Sequence, residues 1–409
     1  MNICICGGGN LGHVVTGYIA AKATDEVTLL TRQPERWNPT LHIITPEGKT
    51  LEGAIHQISD SPAALIPKAD IVLLCLPGYG IHQTLLDIRP YLKPDTAVGS
   101  VVSSTGFFFE ALDLLPETTP LFGFQRVPFI ARVEEYGKSA HLLGYKSSLS
   151  VAIENRKSSL CREDLGGSLA KLFDTPVHLL ANYYEASLTN SNPLLHTSRL
   201  YSMWHEWHEG IVYPSQNQFY SDWTDEASQL LIDMDEEFFR LLSVLPVTTG
   251  AIPTVLDYYE STDASSLTKK LHSIEAFKGI LSPMKKVGNG FVPDFQSRYF
   301  TEDFPYGLAI VHRLLHEHHI PSPYIDKVYA WGTSTLNSKL NIVRFKLVSD
   351  ALVFWWQFHI VAIGPGQIVV VTYHCLIDTT LKPHVYHFLH IGSRKTTFRR
   401  SRSCLRHVA

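Results

Sequence analysis

From Met1 to about residue 154, short apolar runs alternate with amphipathic segments, the rhythm of a parallel sheet covered by helices. Residues 2–6, 26–31, 71–76 and 97–102 read as buried strands, and 11–22 and 80–92 as helices between them. Runs at 141–144 and 148–153 read as further strands at the sheet's far edge. Past residue 155 the strand rhythm yields to helical periodicity at 225–245, 267–277 and 305–318, with proline-containing breaks between. The pattern therefore predicts an α/β domain over 1–154 followed by an all-helical domain over 155–338. No internal repeat interrupts it.

The texture changes again at Lys339. Residues 339–409 hold ten Lys or Arg and two acids, whereas the rest of the chain is net acidic. Residues 351–377 are apolar enough to raise a membrane span, but Gly364-Pro365-Gly366 interrupts them and both flanks are β-branched and aromatic. A hairpin is expected there, and no membrane partner. Such a break is left both by an appended segment and by one of non-native origin, as a frameshift or gene-model error produces. In either case this basic, apolar tail is expected to pack poorly on the rest.

A chain of 409 residues exceeds what one hydrophobic core usually supports, in agreement with two domains. The net charge of −4 gives no general electrostatic case for nucleic acid, so small molecules are the expected partners. The first strand starts at Met1 with no basic leader and cleavage site before it, and the six cysteines show no CxxC pairing. A reducing, cytoplasmic location is expected, with Cys4 and Cys6 as small hydrophobes on one strand face.

Chemistry enters where the first strand ends. Gly7-Gly8-Gly9-Asn10-Leu11-Gly12 matches G-x-G-x-x-G, with Gly7, Gly9 and Gly12 in the glycine positions, between a predicted strand and a predicted helix. The first glycine permits the tight turn, the second admits a pyrophosphate to the backbone, and the third lets helix and strand pack. Amides at the start of the helix, from Asn10 and Leu11, would face the diphosphate. This is the signature of a Rossmann dinucleotide-binding domain. At the end of the second strand, where an acid would hold the ribose of NAD, stand Thr31 and Arg32; a guanidinium there suits a 2′-phosphate, so NADP(H) is favoured over NAD(H). Arg32 as a solvated surface residue is the plainer alternative. Pro77 closes the third clear strand at the edge where ligands bind in such sheets, as a cofactor contact or an ordinary turn.

Two islands stand out in the helical region: Thr189-Asn190-Ser191-Asn192-Pro193-Leu194-Leu195-His196 and Ser297-Arg298-Tyr299-Phe300-Thr301-Glu302-Asp303-Phe304-Pro305-Tyr306-Gly307-Leu308. Together they resemble the octopine/nopaline (opine) dehydrogenase family, whose signatures include Asn-Pro-x-x-His and an Arg followed by Glu-Asp-x-Pro-x-Gly-Leu. The likeness runs from Met1 to about Trp331. It implies a two-domain enzyme that joins the amino group of an amino acid to a 2-oxo acid and reduces the imine with NAD(P)H, giving an opine. It further implies that His196 transfers the proton, Asp303 orients it, Arg298 binds the substrate carboxylate and Asn192 is a nearby substrate contact.

Those roles are chemically coherent. An arginine clamps a carboxylate through two N–H bonds, and a histidine held by a carboxylate is a proton relay near neutral pH. Plainer roles exist for each: His196 as a satisfied polar residue, Asp303 as a helix cap, Arg298 as an ion-pair partner. His312 and His316 share an i, i+4 face, but no Glu completes an H-E-x-x-H arrangement, and no metal site is expected. Two other functions fit the nucleotide domain: a ketopantoate- or hydroxyacid-type carbonyl reductase, which needs no amine, and a non-catalytic NADP(H)-binding sensor. The identity of the amino acid and 2-oxo acid lies in pocket shape rather than in these motifs.

Overall fold

The computed structural model describes residues 1–339, 353–364 and 367–378. The chain divides into two compact units, Met1–Leu336 and Asn337–Ala409.

Twelve strands precede the helical part of the first unit: β1 Asn2–Cys6, β2 Glu26–Leu30, β3 Thr40–Ile44, β4 Thr50–Ala54, β5 Gln57–Ser59, β6 Ile71–Leu74, β7 Ala97–Ser100, β8 Leu121–Phe124, β9 Phe129–Glu135, β10 Ser139–Tyr145, β11 Leu149–Glu154 and β12 Val177–Leu179. Eight of them form one sheet in the order β12-β11-β8-β7-β6-β1-β2-β5, parallel from β5 through β8, with β11 antiparallel to β8. Both faces are buried, and period-two alternation divides β1 between them. Ile3 and Ile5 join the core on one side, Cys4 and Cys6 the core on the other. Each fully buried side chain of this size contributes roughly 1.5–3 kcal/mol of hydrophobic stabilisation.

The expectation for 141–144 is corrected by the second sheet, β4-β3-β10-β9, which takes up that segment. Periodicity predicts a strand there but not its neighbours. Segment 148–153 does lie in the main sheet, as β11, but β12 lies outside it as the edge strand. The second sheet covers the helix Asn10–Ala21, and a Cβ on Gly17 of that helix would run into Ile43 of β3.

Downstream the unit is helical as expected, with boundaries set by caps. The helix Asp225–Leu242 starts at Thr224, whose hydroxyl accepts from the Ala227 amide. The expected helix at 267–277 begins earlier, as Ala264–Ser273, because Asp263 and Ser266 form a reciprocal capping box. The run at 305–318 splits into a π-helical turn, Phe304–Leu308, and an α-helix, Ala309–Glu317. One hairpin, Met284–Val287 with Gly290–Pro293, adds a small β element to this otherwise helical part. Among the described residues no helix is long and apolar enough to cross a membrane.

Of the second unit, Val353–Gly364 pairs antiparallel with Gln367–Asp378, the hairpin expected around Gly364-Pro365-Gly366. The remaining expectations for the tail fall outside the described residues.

Candidate active site

The glycine loop lies at the C-terminal end of β1, between β6 and β2. Gly7 has φ +120°, a conformation open to glycine alone, and its amide donates to the Leu30 carbonyl. A Cβ on Gly12 would fall on the Gly7 carbonyl oxygen, while one on Gly9 would meet nothing within 4 Å. The loop is thus closed on its protein side and open on its outer side. Gly9 caps the Asn10–Ala21 helix without a side chain, so no capping oxygen occupies the first-turn amides, and this end fits an anion such as a diphosphate. Asn10 is exposed, but its side-chain oxygen accepts from the Val133 amide of β9, which gives that side chain a structural task.

A residue absent from the sequence expectations holds this loop. His13 is fully buried, its Nδ1 donating to the Gly9 carbonyl at 2.9 Å and its Nε2 accepting from the Gly137 amide at 2.7 Å. Its ring stacks on Trp37 at 4.1 Å. Burial lowers its pKa, favouring the neutral form that this bonding requires. Thr31 is buried just past β2, within reach of Gly8, and Arg32 is exposed with no hydrogen bond or ion pair among the described residues.

Pro77 precedes the helix Gly78–Ile88, which the helical domain meets directly. The Gly78 amide donates to Glu302 Oε2 at 3.0 Å, and Tyr306 fills the space a Cβ at Gly78 would need. Burial is the largest cause of the raised pKa of Glu302; the Gly78 amide and Arg298 oppose it.

The two sequence islands also meet each other. Pro193 opens the helix Asn192–Trp204 and packs on Gly307 of the π-turn, where the Leu308 amide reaches back to the Asp303 carbonyl at 2.7 Å. Pro305 has no N–H to give the preceding turn, and π-turns of this kind recur at functional sites. This geometry places Asp303 Oδ2 2.8 Å from His196 Nδ1, though 107 residues separate the two in the chain. His196 is nearly buried, its side chain 11% exposed. With Nδ1–H donating to the carboxylate, Nε2 is left to accept, and the Tyr220 hydroxyl lies 3.0 Å from it.

Tyr220 was not anticipated from the sequence. Burial pushes its hydroxyl well above the usual phenol range, so it remains a neutral donor. Its ring stacks on Phe277 at 3.9 Å. Arg199, one turn beyond His196, braces its loop through the Phe219 carbonyl at 3.0 Å and the Asp222 carbonyl at 2.6 Å. Only the helical spacing of His196 and Arg199 hinted at this in the sequence.

Arg298 is exposed one turn before Glu302; its carbonyl accepts from the Glu302 amide at 2.9 Å, and its guanidinium makes no hydrogen bond or ion pair among the described residues. Asn192 is half-buried at the helix start, and its amide donates to Asn190 Oδ1 at 3.2 Å. A cleft opens beside Pro193 and Leu194, lined by Ser104, Arg126, Asn190, Asp235 and Tyr306, but not by His196, Asp303 or Arg298. Burial raises the Asp235 pKa to about 6. Arg126 lies just past β8, at the strand end where ligands gather in such sheets, a position that could have marked it in the sequence.

Residues 3–106 match the ketopantoate reductase family PanE/ApbA, and residues 179–336, which contain both islands, match NAD/NADP octopine/nopaline dehydrogenase, alpha-helical domain. Over its helical part the chain is thus similar to the octopine/nopaline dehydrogenase family. An opine dehydrogenase of Haliotis discus hannai is 26% identical over 371 residues, covering 83% of this chain and 91% of that protein. A tauropine dehydrogenase of Arabella iricolor is 27% identical, covering 82% and 92%. The fold agrees with a solved octopine dehydrogenase structure with NADH and L-arginine, at a TM-score of 0.73 and 24% identity, over 82% of this chain and 90% of that one. The residues that match the helical-domain model contain the His196–Asp303 pair, and those that match the reductase model contain the glycine loop.

Proposed function

We propose that the protein is a nicotinamide-dependent dehydrogenase that condenses an amino acid with a 2-oxo acid and reduces the product to an opine. The observation that carries this reading is the His196–Asp303 pair, set within the residues that match the helical-domain model and beside the Glu302 contact to the nucleotide domain. When bound, the nicotinamide supplies the hydride; the chain's residues do the rest.

The first-turn amides after Gly9 hold the diphosphate. NADP(H) is the favoured form, supported by the exposed Arg32, which has no hydrogen bond or ion pair among the described residues, where an NAD site has an acid. Arg298 clamps the carboxylate of the 2-oxo acid, and Asn192 contacts the substrate beside it. Asp303 holds Nδ1–H of His196, leaving Nε2 as the atom that exchanges a proton with the substrate. The Tyr220 hydroxyl donates to that same nitrogen, so the substrate either displaces this hydroxyl or exchanges the proton through it.

The test is NADPH oxidation by the full chain across a matrix of amino acids and 2-oxo acids. Turnover that requires both partners is expected. Turnover with a 2-oxo acid alone would instead make it a carbonyl reductase, and tight NADPH binding with no turnover would make it a sensor.

A further inference from the structure

The histidines set aside in the sequence because no Glu completes an H-E-x-x-H arrangement meet a carboxylate from the neighbouring helix. His312 and His316 lie on successive turns of Ala309–Glu317, with ring centroids 4.3 Å apart. Asp326 comes from the first turn of Pro323–Lys339. Its Oδ1 is 2.9 Å from His316 Nε2 and 3.3 Å from His312 Nε2, and the Ser322 hydroxyl donates to the same oxygen at 3.0 Å. Three polar groups thus converge on one carboxylate oxygen.

We propose that His312, His316 and Asp326 form a binding site for a divalent transition-metal ion, which ties the two helices together. Two imidazoles and one carboxylate suit zinc and its borderline neighbours; magnesium and calcium prefer all-oxygen sets. All three ligand atoms lie within 4.8 Å of one another. An ion bonded to each at about 2.0–2.2 Å needs them roughly 3 Å or slightly more apart, a spacing that both nitrogen–oxygen pairs already have. The His312 ring is preset by stacking on Tyr329 at 4.1 Å. His316 and Asp326 are half exposed, so an ion can enter from solvent and complete its coordination with water. The site is separate from the His196 relay and does not depend on the proposed reaction.

The experiment is calorimetric titration of the full chain, free of any affinity tag, with zinc chloride in a non-chelating buffer, alongside thermal melts with and without zinc. One equivalent is expected to bind and raise Tm. His316→Ala and Asp326→Asn should each weaken binding at least tenfold and abolish the Tm rise, whereas the paired change His318→Ala and His319→Ala should leave both intact. Circular dichroism of each variant checks that it is folded. The proposal is overturned if the wild-type chain takes up no zinc at micromolar concentration. It is equally overturned if folded His316→Ala and Asp326→Asn bind as tightly as wild type, which would leave the cluster as a histidine–carboxylate ion pair.

Discussion

Gly78 and Glu302 are 224 residues apart in the chain and joined by one hydrogen bond, backbone amide to carboxylate. The bond links the loop after β6, on the ligand edge of the sheet, to the residue preceding Asp303. Glu302→Ala leaves a buried amide without an acceptor, a loss of about 1–3 kcal/mol in stability. It should also lower kcat more than it weakens nucleotide binding, because the glycine loop is untouched. Glu302→Gln retains an acceptor and should recover most of both. Steady-state kinetics with denaturant melts separates the two effects, and wild-type values for Glu302→Ala would show the contact to be idle.

The proton relay predicts a different pattern. His196→Ala and Asp303→Asn should each reduce kcat by about 10²–10⁴ with little change in NADPH affinity, since neither residue belongs to the nucleotide domain. The double variant should be little worse than the poorer single one, as expected of groups that act together. Near-normal turnover by His196→Ala would remove the mechanism.

Arg298 should separate from that pair. If Arg298 is the carboxylate clamp, Arg298→Ala should raise KM for the 2-oxo acid as its main symptom, with kcat falling further only where the clamp also sets geometry. If KM for the 2-oxo acid is unchanged and Arg126→Ala raises it instead, the clamp belongs to the arginine that lines the cleft.

At the nucleotide end, NADPH should bind more tightly than NADH, and Arg32→Ala should narrow the difference. Fluorescence titration of both nucleotides checks it. Equal affinities in the unaltered protein would contradict the preference.

His13 makes stability depend on pH. Its pKa is lowered in the fold from an ordinary value of about 6.5, so its contribution is fully present above about pH 6.5 and is lost as pH falls towards the folded value. Within that window the loss is at most about 1.4 kcal/mol per pH unit. His13→Phe keeps a ring beside Trp37 but abolishes both hydrogen bonds, so it should be less stable at pH 7.5 and show a shallower decline to pH 5.5. Parallel urea melts of the two proteins would decide; identical slopes would rule His13 out.

Much of this arrangement was legible in advance, for physical reasons. The glycine loop declares itself because its backbone conformation and close contacts tolerate no side chain at Gly7 or Gly12. His196 and Asp303 were linked through the motifs that carry them, ahead of any geometry. Tyr220 and His13 were not legible: their roles depend on hydrogen bonds to residues distant in sequence, and a tyrosine or histidine in an aromatic setting reads as ordinary core. The strand β4 escaped for the opposite reason, since Thr-Leu-Glu-Gly-Ala carries too few apolar residues to stand out from a loop, whereas β3, Thr-Leu-His-Ile-Ile, is as apolar as β2 and was passed over. Asp326 was hidden because only the turn between two helices brings it to His312 and His316.

The packing of Pro193 on Gly307 has a consequence for inheritance. A side chain at 307 would place its first carbon 2.6 Å from Pro193 Cγ, so the proline of one motif occupies the volume the other leaves vacant. The two motifs are one mutational target: a lineage that enlarges residue 307 must first shrink residue 193. A search for second-site revertants of Gly307→Ala should therefore lead back to position 193.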